Sequence, residues 1–132
     1  MDDLAPWQPL LSEALAILAL AANEQVRVNA PGCVACDLLN DFDQARKVAV
    51  ESKAILSNGQ RRILEAIDNV ILSMEGQDLE CCNNEVLRRP AWEQLRELAA
   101  EGLRLFGWQS TVVEPFTEVQ PGVWRRPPLP RD

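Results

Sequence analysis

The sequence contains no histidine and no tyrosine among its 132 residues. Histidine is the commonest general base, so its absence excludes Ser-His and Cys-His nucleophile pairs and every metal site that needs an imidazole. The chain also has no glycine-rich phosphate loop and no G-x-S-x-G motif. Carboxylates, lysine and cysteine still leave routes to catalysis, but we predict that the protein is not an enzyme.

Long apolar runs are missing as well. The most apolar segment, residues 10–22 (LLSEALAILALAA), is interrupted by Glu13 and is shorter than the roughly 20 residues of a membrane-spanning helix. The residues before it, Met1-Asp2-Asp3, lack the positive charge that begins a signal peptide. The segment therefore predicts a buried helix in a soluble, cytoplasmic protein that does not bind membranes.

Basic residues are outnumbered. The chain has 13 lysines and arginines against 20 aspartates and glutamates, for a formal net charge of −7. This charge opposes direct binding to nucleic acids and to anionic lipid surfaces. Hydrophobic residues make up 47% of the sequence, which excludes a wholly disordered chain. An acidic surface of this kind can attract a basic protein partner.

Helical periodicity dominates residues 34–75, where apolar side chains recur at alternating steps of three and four. The first half of this stretch carries Ala35, Leu38, Phe42, Ala45, Ala49 and Leu56, and the second half carries Ile63, Leu64, Ile67, Val70 and Met74. Between the halves, Asn58-Gly59 favours the end of one helix, and Ser57 with Gln60 favours a capping box that begins the next. The two halves are therefore predicted to fold back as a helical hairpin. One continuous helix is the alternative, because the apolar heptad spacing continues across the joint.

Two further helices are predicted, over residues 6–25 and 90–106, with Gly107 as the cap of the last helix and Gly76 as the cap of the third. The predicted fold class is therefore all-α, a four-helix bundle-like single domain over residues 1–107.

Residues 108–132 are predicted to form a short extended or hairpin arm. Strand-forming residues occur at 110–113, and Pro121-Gly122 is a turn signal. The last residues contain Pro127-Pro128-Leu129-Pro130, which favours polyproline II. This tail is either a ligand for an aromatic groove or a plain disordered end.

Four cysteines form two pairs, Cys33-Val-Ala-Cys36 and Cys81-Cys82. In a cytosolic chain such pairs more often indicate metal or thiol chemistry than structural disulfides. If the chain reverses near Asn58, both pairs lie at the same end of the bundle, where four thiolates can hold zinc tetrahedrally. Adjacent ligands such as Cys81 and Cys82 are awkward for one ion, so we predict no cofactor, with zinc as an alternative. Ordinary reduced thiols, or redox-active ones at the helix start near Cys33, are the other interpretations.

The predicted outer face of the last helix carries Glu93, Glu97 and Glu101 at four-residue spacing, and two tryptophans with an exposed setting follow at Trp108 and Trp124. These five residues are the candidate partner-binding residues. A solvated face is the ordinary alternative for such a run of like charges.

Three functions are consistent with these features. The leading hypothesis is a small acidic, non-catalytic interaction module, either an adaptor or an inhibitor or immunity-type antagonist of a basic protein partner. The second is a metal-binding or thiol-redox sensor that uses the four cysteines. The third is a structural module in which the long helical stretch pairs with a second copy to form a homodimer.

Overall fold

The computed structural model describes residues 7–29, 32–108 and 115–125 and is mostly helical, which confirms the predicted helical class. Within these ranges the chain forms α1 (Trp7–Leu18), α2 (Ala22–Asn29), α3 (Val34–Glu51), α4 (Asn58–Ser73) and α5 (Pro90–Phe106). Two 3₁₀ helices, Gly76–Asp78 and Asn84–Arg88, connect α4 to α5. Two antiparallel strands, β1 (Thr117–Gln120) and β2 (Val123–Arg125), follow. The arrangement as a four-helix bundle stays a prediction.

The predicted first helix is wrong in its extent, since the chain breaks between α1 and α2. The side chain of Gln25 is fully buried, and its Nε2 donates to the carbonyl oxygens of Ile17 at 3.2 Å and Leu18 at 3.0 Å. These carbonyls lie at the C-terminal end of α1, where partners within the helix run out, and that of Ile17 also accepts from the backbone N–H of Leu20 at 3.1 Å. The sequence hides this break, because residues 14–22, which run through it, are all apolar.

The core is organised around α1, which packs against both α3 and α5, while α4 packs against α5. All residues from Ala14 to Leu18 are buried, so α1 is enclosed on most sides as its composition predicts. Gly102 on α5 faces Leu15, and a Cβ at Gly102 would lie only 3.4 Å from its Cδ1. Gly102 therefore lies at the contact between α1 and α5.

The hairpin between α3 and α4 is confirmed, although α3 ends earlier than predicted. Its last residue is Glu51, and the following turn includes Lys53 in the left-handed conformation with φ of 54°. Gly59 lies inside α4 and does not end α3. The predicted capping box is present: Ser57 Oγ accepts from the backbone N–H of Gln60 at 3.1 Å, and Gln60 Oε1 accepts from that of Ser57 at 2.9 Å.

An ion pair joins the two helices of this hairpin. Arg46 Nη1, in the C-terminal half of α3, lies 3.4 Å from Asp68 Oδ2 of α4. The predicted cap at Gly76 is wrong, since α4 ends at Ser73 and Gly76 begins a 3₁₀ helix.

The C-terminal hairpin turns at Pro121-Gly122 as predicted, with Gly122 at φ of 78°. Gly107 caps α5 in the left-handed conformation, also as predicted. The predicted strand at 110–113 and the proline-rich tail lie outside the described residues. Among the residues that are described, none belongs to a helix with both the length and the apolar character needed to cross a bilayer.

Candidate metal centre

The four cysteines converge on one site at the open end of the α3–α4 hairpin. Cys33 precedes the first residue of α3, and Cys36 lies in its first turn. Cys81 and Cys82 lie in the turn between the two 3₁₀ helices. The Sγ atom of Cys81 is 3.8 Å from the Sγ atoms of Cys33, Cys36 and Cys82. The predicted meeting of the two pairs therefore occurs.

These distances match a tetrahedral thiolate site more closely than a disulfide. Four sulfurs about 2.3 Å from a central zinc ion lie about 3.8 Å from one another, whereas a disulfide requires about 2.05 Å. The Sγ atoms of Cys33, Cys81 and Cys82 all lie within 4.8 Å of one another. Cys36 is outside this group of three, and its Sγ lies 3.8 Å from that of Cys81.

The backbone of Cys82 accounts for how two adjacent cysteines face one point. Cys82 has φ of 59°, a left-handed conformation that is uncommon outside glycine. Its backbone N–H donates to Cys33 Sγ at 2.9 Å. The turn thus presents two side chains and an amide to the same sulfur cluster, which answers the geometric objection to adjacent ligands.

On the α3 side, the core fixes the orientation of the first pair. Val34 and Ala35 are buried, with 2% and 4% of their surfaces exposed. Cys33 and Cys36 are three residues apart and share the opposite face of the helix start, where both remain partly exposed. Burial of the two intervening residues therefore aims both thiols at the Cys81 turn.

On the other side, Asp78 holds the segment that carries Cys81 and Cys82. Its Oδ1 accepts from Arg89 Nε at 2.6 Å, and its Oδ2 accepts from the backbone N–H of Glu75 at 3.0 Å. The carbonyl oxygen of Asp78 accepts from Nε1 of Trp92, a fully buried residue of α5, at 2.9 Å. The Arg89 guanidinium and the Glu75 N–H hold the pKa of the Asp78 carboxyl below its ordinary value. The cysteine turn is thereby tied to α5.

Sequence reasoning missed Asp78, Arg89 and Trp92. Arg89 and Trp92 lie 11 and 14 residues after Asp78, and the chain between Asp78 and Arg89 is irregular, so these contacts do not follow from the period of one helix or strand. Only the polar composition of 77–89 marked this segment as something other than a regular helix. No spacing rule predicts contacts through two consecutive 3₁₀ turns.

Hydrogen bonds within the cluster place negative charge on one thiol. The backbone N–H of Cys36 is the main influence that lowers the pKa of Cys33 to about 7, and that of Cys82 acts in the same direction. The thiols of Cys36 and Cys82 favour their protonated forms because they can donate to Cys33, which raises their pKa values to about 12 and about 11. A divalent metal ion must displace these protons, so its affinity for the cluster rises with pH.

This asymmetry predicts the order of alkylation in the reduced, metal-free protein. The rate of iodoacetamide reaction at Cys33 should rise with pH to a midpoint near 7, since the thiolate is the reacting form. Peptide mapping by mass spectrometry locates the label, with 8 M urea as the unfolded control, in which the midpoints move to about 8.5. Earlier labelling of Cys36 than of Cys33 in the folded protein would contradict the assignment.

The candidate partner-binding residues are distributed rather than clustered. Glu93 and Glu97 are exposed on α5, while Glu101 is paired with Arg104. Trp124 is 44% exposed on β2. The expectation of an exposed Trp108 is wrong, because its ring stacks on Phe106 with centroids 4.5 Å apart and lies 6.4 Å from Trp7.

Comparison with known proteins adds no assignment. No family model matches the chain, and no curated protein or solved structure is similar enough to count as a match. The case for a function therefore depends on the chemistry of the described residues. Four thiols in two converging pairs can hold one soft metal ion or undergo thiol oxidation.

Proposed function

We propose that the protein is a non-catalytic zinc-binding helical protein in which Cys33, Cys36, Cys81 and Cys82 hold one Zn²⁺ ion as thiolates. The observation that carries the proposal is the convergence of two cysteine pairs, 48 residues apart between Cys33 and Cys81, with sulfur spacings of 3.8 Å. Ordinary core cysteines have no reason to gather at one partly exposed point. The exposure of Cys81 and Cys82 also argues against a purely space-filling role.

Zinc suits this donor set best among common metals. Thiolates are soft ligands, and a tetrahedral arrangement of four sulfurs selects zinc or iron. The oxygen-seeking ions magnesium and calcium are disfavoured by the same ligands. A site with four protein ligands leaves no coordination position for substrate, so the ion acts structurally or as a sensor of metal supply.

Bound zinc would tie the start of α3 to the turn that follows α4. Without metal, this end of the hairpin is held by the Cys82 N–H bond to Cys33 and by the Asp78 network. Metal occupancy would then decide how firmly α3 is fixed against the rest of the chain. A zinc-stabilised helical domain is also compatible with a role in protein interaction, with the exposed Glu93 and Glu97 as the contact for a basic partner. The homodimeric module stays a separate prediction, which light scattering tests.

Metal content measured by native mass spectrometry tests the proposal. Protein produced in zinc-supplemented medium should carry one zinc ion per chain, and cobalt substitution should give the intense absorption of tetrahedral cobalt thiolate. The Cys33→Ser and Cys81→Ser variants should each bind zinc more than 100-fold more weakly, since loss of a mere supporting contact costs about 10–100-fold. Asn84→Ser, an exposed change beside the cluster, is the matched control.

The alternatives give different masses in the same experiment. Iron in place of zinc would change the assigned metal but retain the site. A metal-free chain two mass units lighter would indicate a disulfide and support the thiol-redox sensor instead. A metal-free chain with four freely alkylated thiols, unchanged after incubation with zinc, would overturn both.

A further inference from the structure

A groove lies at the turn end of the α3–α4 hairpin, far along both helices from the cysteines. It has a volume of about 300 Å³ and is open to solvent along one side. Val50, Ala54 and Leu56 contribute accessible apolar surface above the buried Ala49 and Leu64. Arg46, Lys53 and Arg61 contribute positive charge, and Glu65 is the one carboxylate among the lining residues. The groove exists because α3 ends at Glu51 and the chain crosses in extended form before α4 begins.

Large aliphatic side chains stand exposed at this groove. Val50, which lines it, is 71% exposed, and Ile55, between two lining residues, is 95% exposed. Single exposed aliphatics are common on protein surfaces, but two beside an apolar groove form a continuous patch of the kind that binds other molecules. These side chains lie outside the core and are accessible to another molecule.

The charge around the groove is opposite to that of the whole chain. Between Arg46 and Glu65 there are five lysines and arginines and two carboxylates, although the full sequence has a net charge of −7. Arg46 is paired with Asp68. Within the described part of the chain, neither Lys53 nor Arg61 forms an ion pair. Two cations at the rim are therefore available to a negatively charged partner.

We propose that this groove binds an acidic amphipathic segment of another protein. The apolar residues of such a segment would cover Val50, Ile55 and Leu56, and its carboxylates would pair with Lys53 and Arg61. This is the helix-in-groove mode, in which an apolar face supplies affinity and flanking charges supply orientation. Nucleic acid fits less well, since it offers no apolar face and is repelled by the rest of the chain. The partner chemistry is opposite to the basic partner expected from net charge.

The proposal is independent of the zinc assignment. The groove residues belong to the turn end of the hairpin, and no cysteine lines it. Loss of zinc binding with the groove interaction retained would leave this inference intact, and the reverse result would leave the zinc proposal intact.

Two synthetic peptides of about 15 residues, four helical turns, provide the probe. Both carry the same leucine face, and their polar positions are all glutamate in one peptide and all lysine in the other. Binding is measured from the amide resonances of Ala49, Leu56 and Leu64 in ¹⁵N-labelled protein, because the lysine peptide is attracted to acidic surface elsewhere. The glutamate peptide should shift these resonances saturably and bind at least about tenfold more tightly than its twin, as expected for two oriented ion pairs gained instead of two repulsions.

Charge reversal provides the decisive variant. Lys53→Glu with Arg61→Glu should reverse the preference, so that the lysine peptide binds the groove more tightly. Arg27→Glu with Arg88→Glu makes the same change in net charge at exposed positions on α2 and in the second 3₁₀ helix, and should keep the original preference. Equal binding of both peptides, unmoved groove resonances, or shifts of the same resonances with protein concentration alone, which indicate a second copy in the groove, would each overturn the proposal.

Discussion

Removing zinc from the loaded protein with a chelator is expected to lower its Tm by on the order of 10 °C, because a ligand that binds only the folded state at 1,000 times its Kd adds about 4 kcal/mol. The cysteines come from segments separated by 48 residues, so an unfolded chain does not present the same four-sulfur site. Thermal unfolding followed by circular dichroism, with and without chelator, measures the shift. Restoring zinc should restore the original Tm.

The Cys81→Ser variant provides the control for this shift. The Tm of this variant should be close to that of the zinc-free wild-type protein. It should not change when chelator is added, because the variant has no complete zinc site for the chelator to empty. In hydrogen exchange, the amides of residues 33–37 and 79–83 should lose protection first when zinc is removed, because local opening begins where contacts are weakest. Amides in the α4–α5 contact should lose less protection. An identical Tm in loaded and stripped wild-type protein would show that the cluster holds no metal in the folded state.

Asp78→Ala is expected to lower the free energy of unfolding by about 2–3 kcal/mol, because it removes two hydrogen bonds and leaves the Arg89 guanidinium without its ion-pair partner. The guanidinium is partly exposed, so water limits the energetic cost of losing that partner. Asp78 accepts from Arg89 Nε and from the Glu75 N–H, and its side chain is 12% exposed. The same change loosens the turn that carries Cys81 and Cys82. Zinc affinity should therefore fall by about tenfold or more.

Urea unfolding at several pH values tests the origin of this loss. The pKa of the Asp78 carboxyl is lowered in the folded state, so its contribution is complete above about pH 4, the unfolded value, and disappears as the pH falls through the folded value. The difference between wild type and variant should thus be constant from pH 6 to 8 and shrink in strong acid. Glu85→Ala removes the same charge from an exposed position nearby and should change stability by less than about 0.5 kcal/mol. An equal loss in both variants would assign the effect to net charge.

The hairpin and the meeting of the cysteines could be predicted because both follow from local signals and counting. Ser57 and Gln60 mark the turn with a capping box, and residues equidistant from a helical turn lie opposite each other. That symmetry pairs Cys33 with the segment near Cys81.

Other parts of the fold depend on contacts that no local pattern encodes. The break after Leu18 is stabilised by a buried Gln25 seven residues later, and nothing in the apolar run marks it. The Asp78–Arg89 pair spans two irregular turns. The cationic groove was missed for a different reason: a net charge describes the whole chain, and Lys53 and Arg61 come together only when the hairpin forms.

The position of α1 has a consequence for how the chain is made. This helix is the most apolar in the protein and packs against α5, whose last residue, Phe106, is synthesised long after Leu18. At a translation rate of about 5–20 residues per second, roughly 5–20 s pass between the synthesis of α1 and the completion of α5, although α3, the other partner of α1, is made earlier. During that time the apolar face of α1 that packs against α5 is available to chaperones and to neighbouring nascent chains on the same message. The helix at the centre of the folded protein is thus the segment most prone to aggregation during synthesis. The yield of protein in cells should depend on the length of this interval as well as on the stability of the folded state.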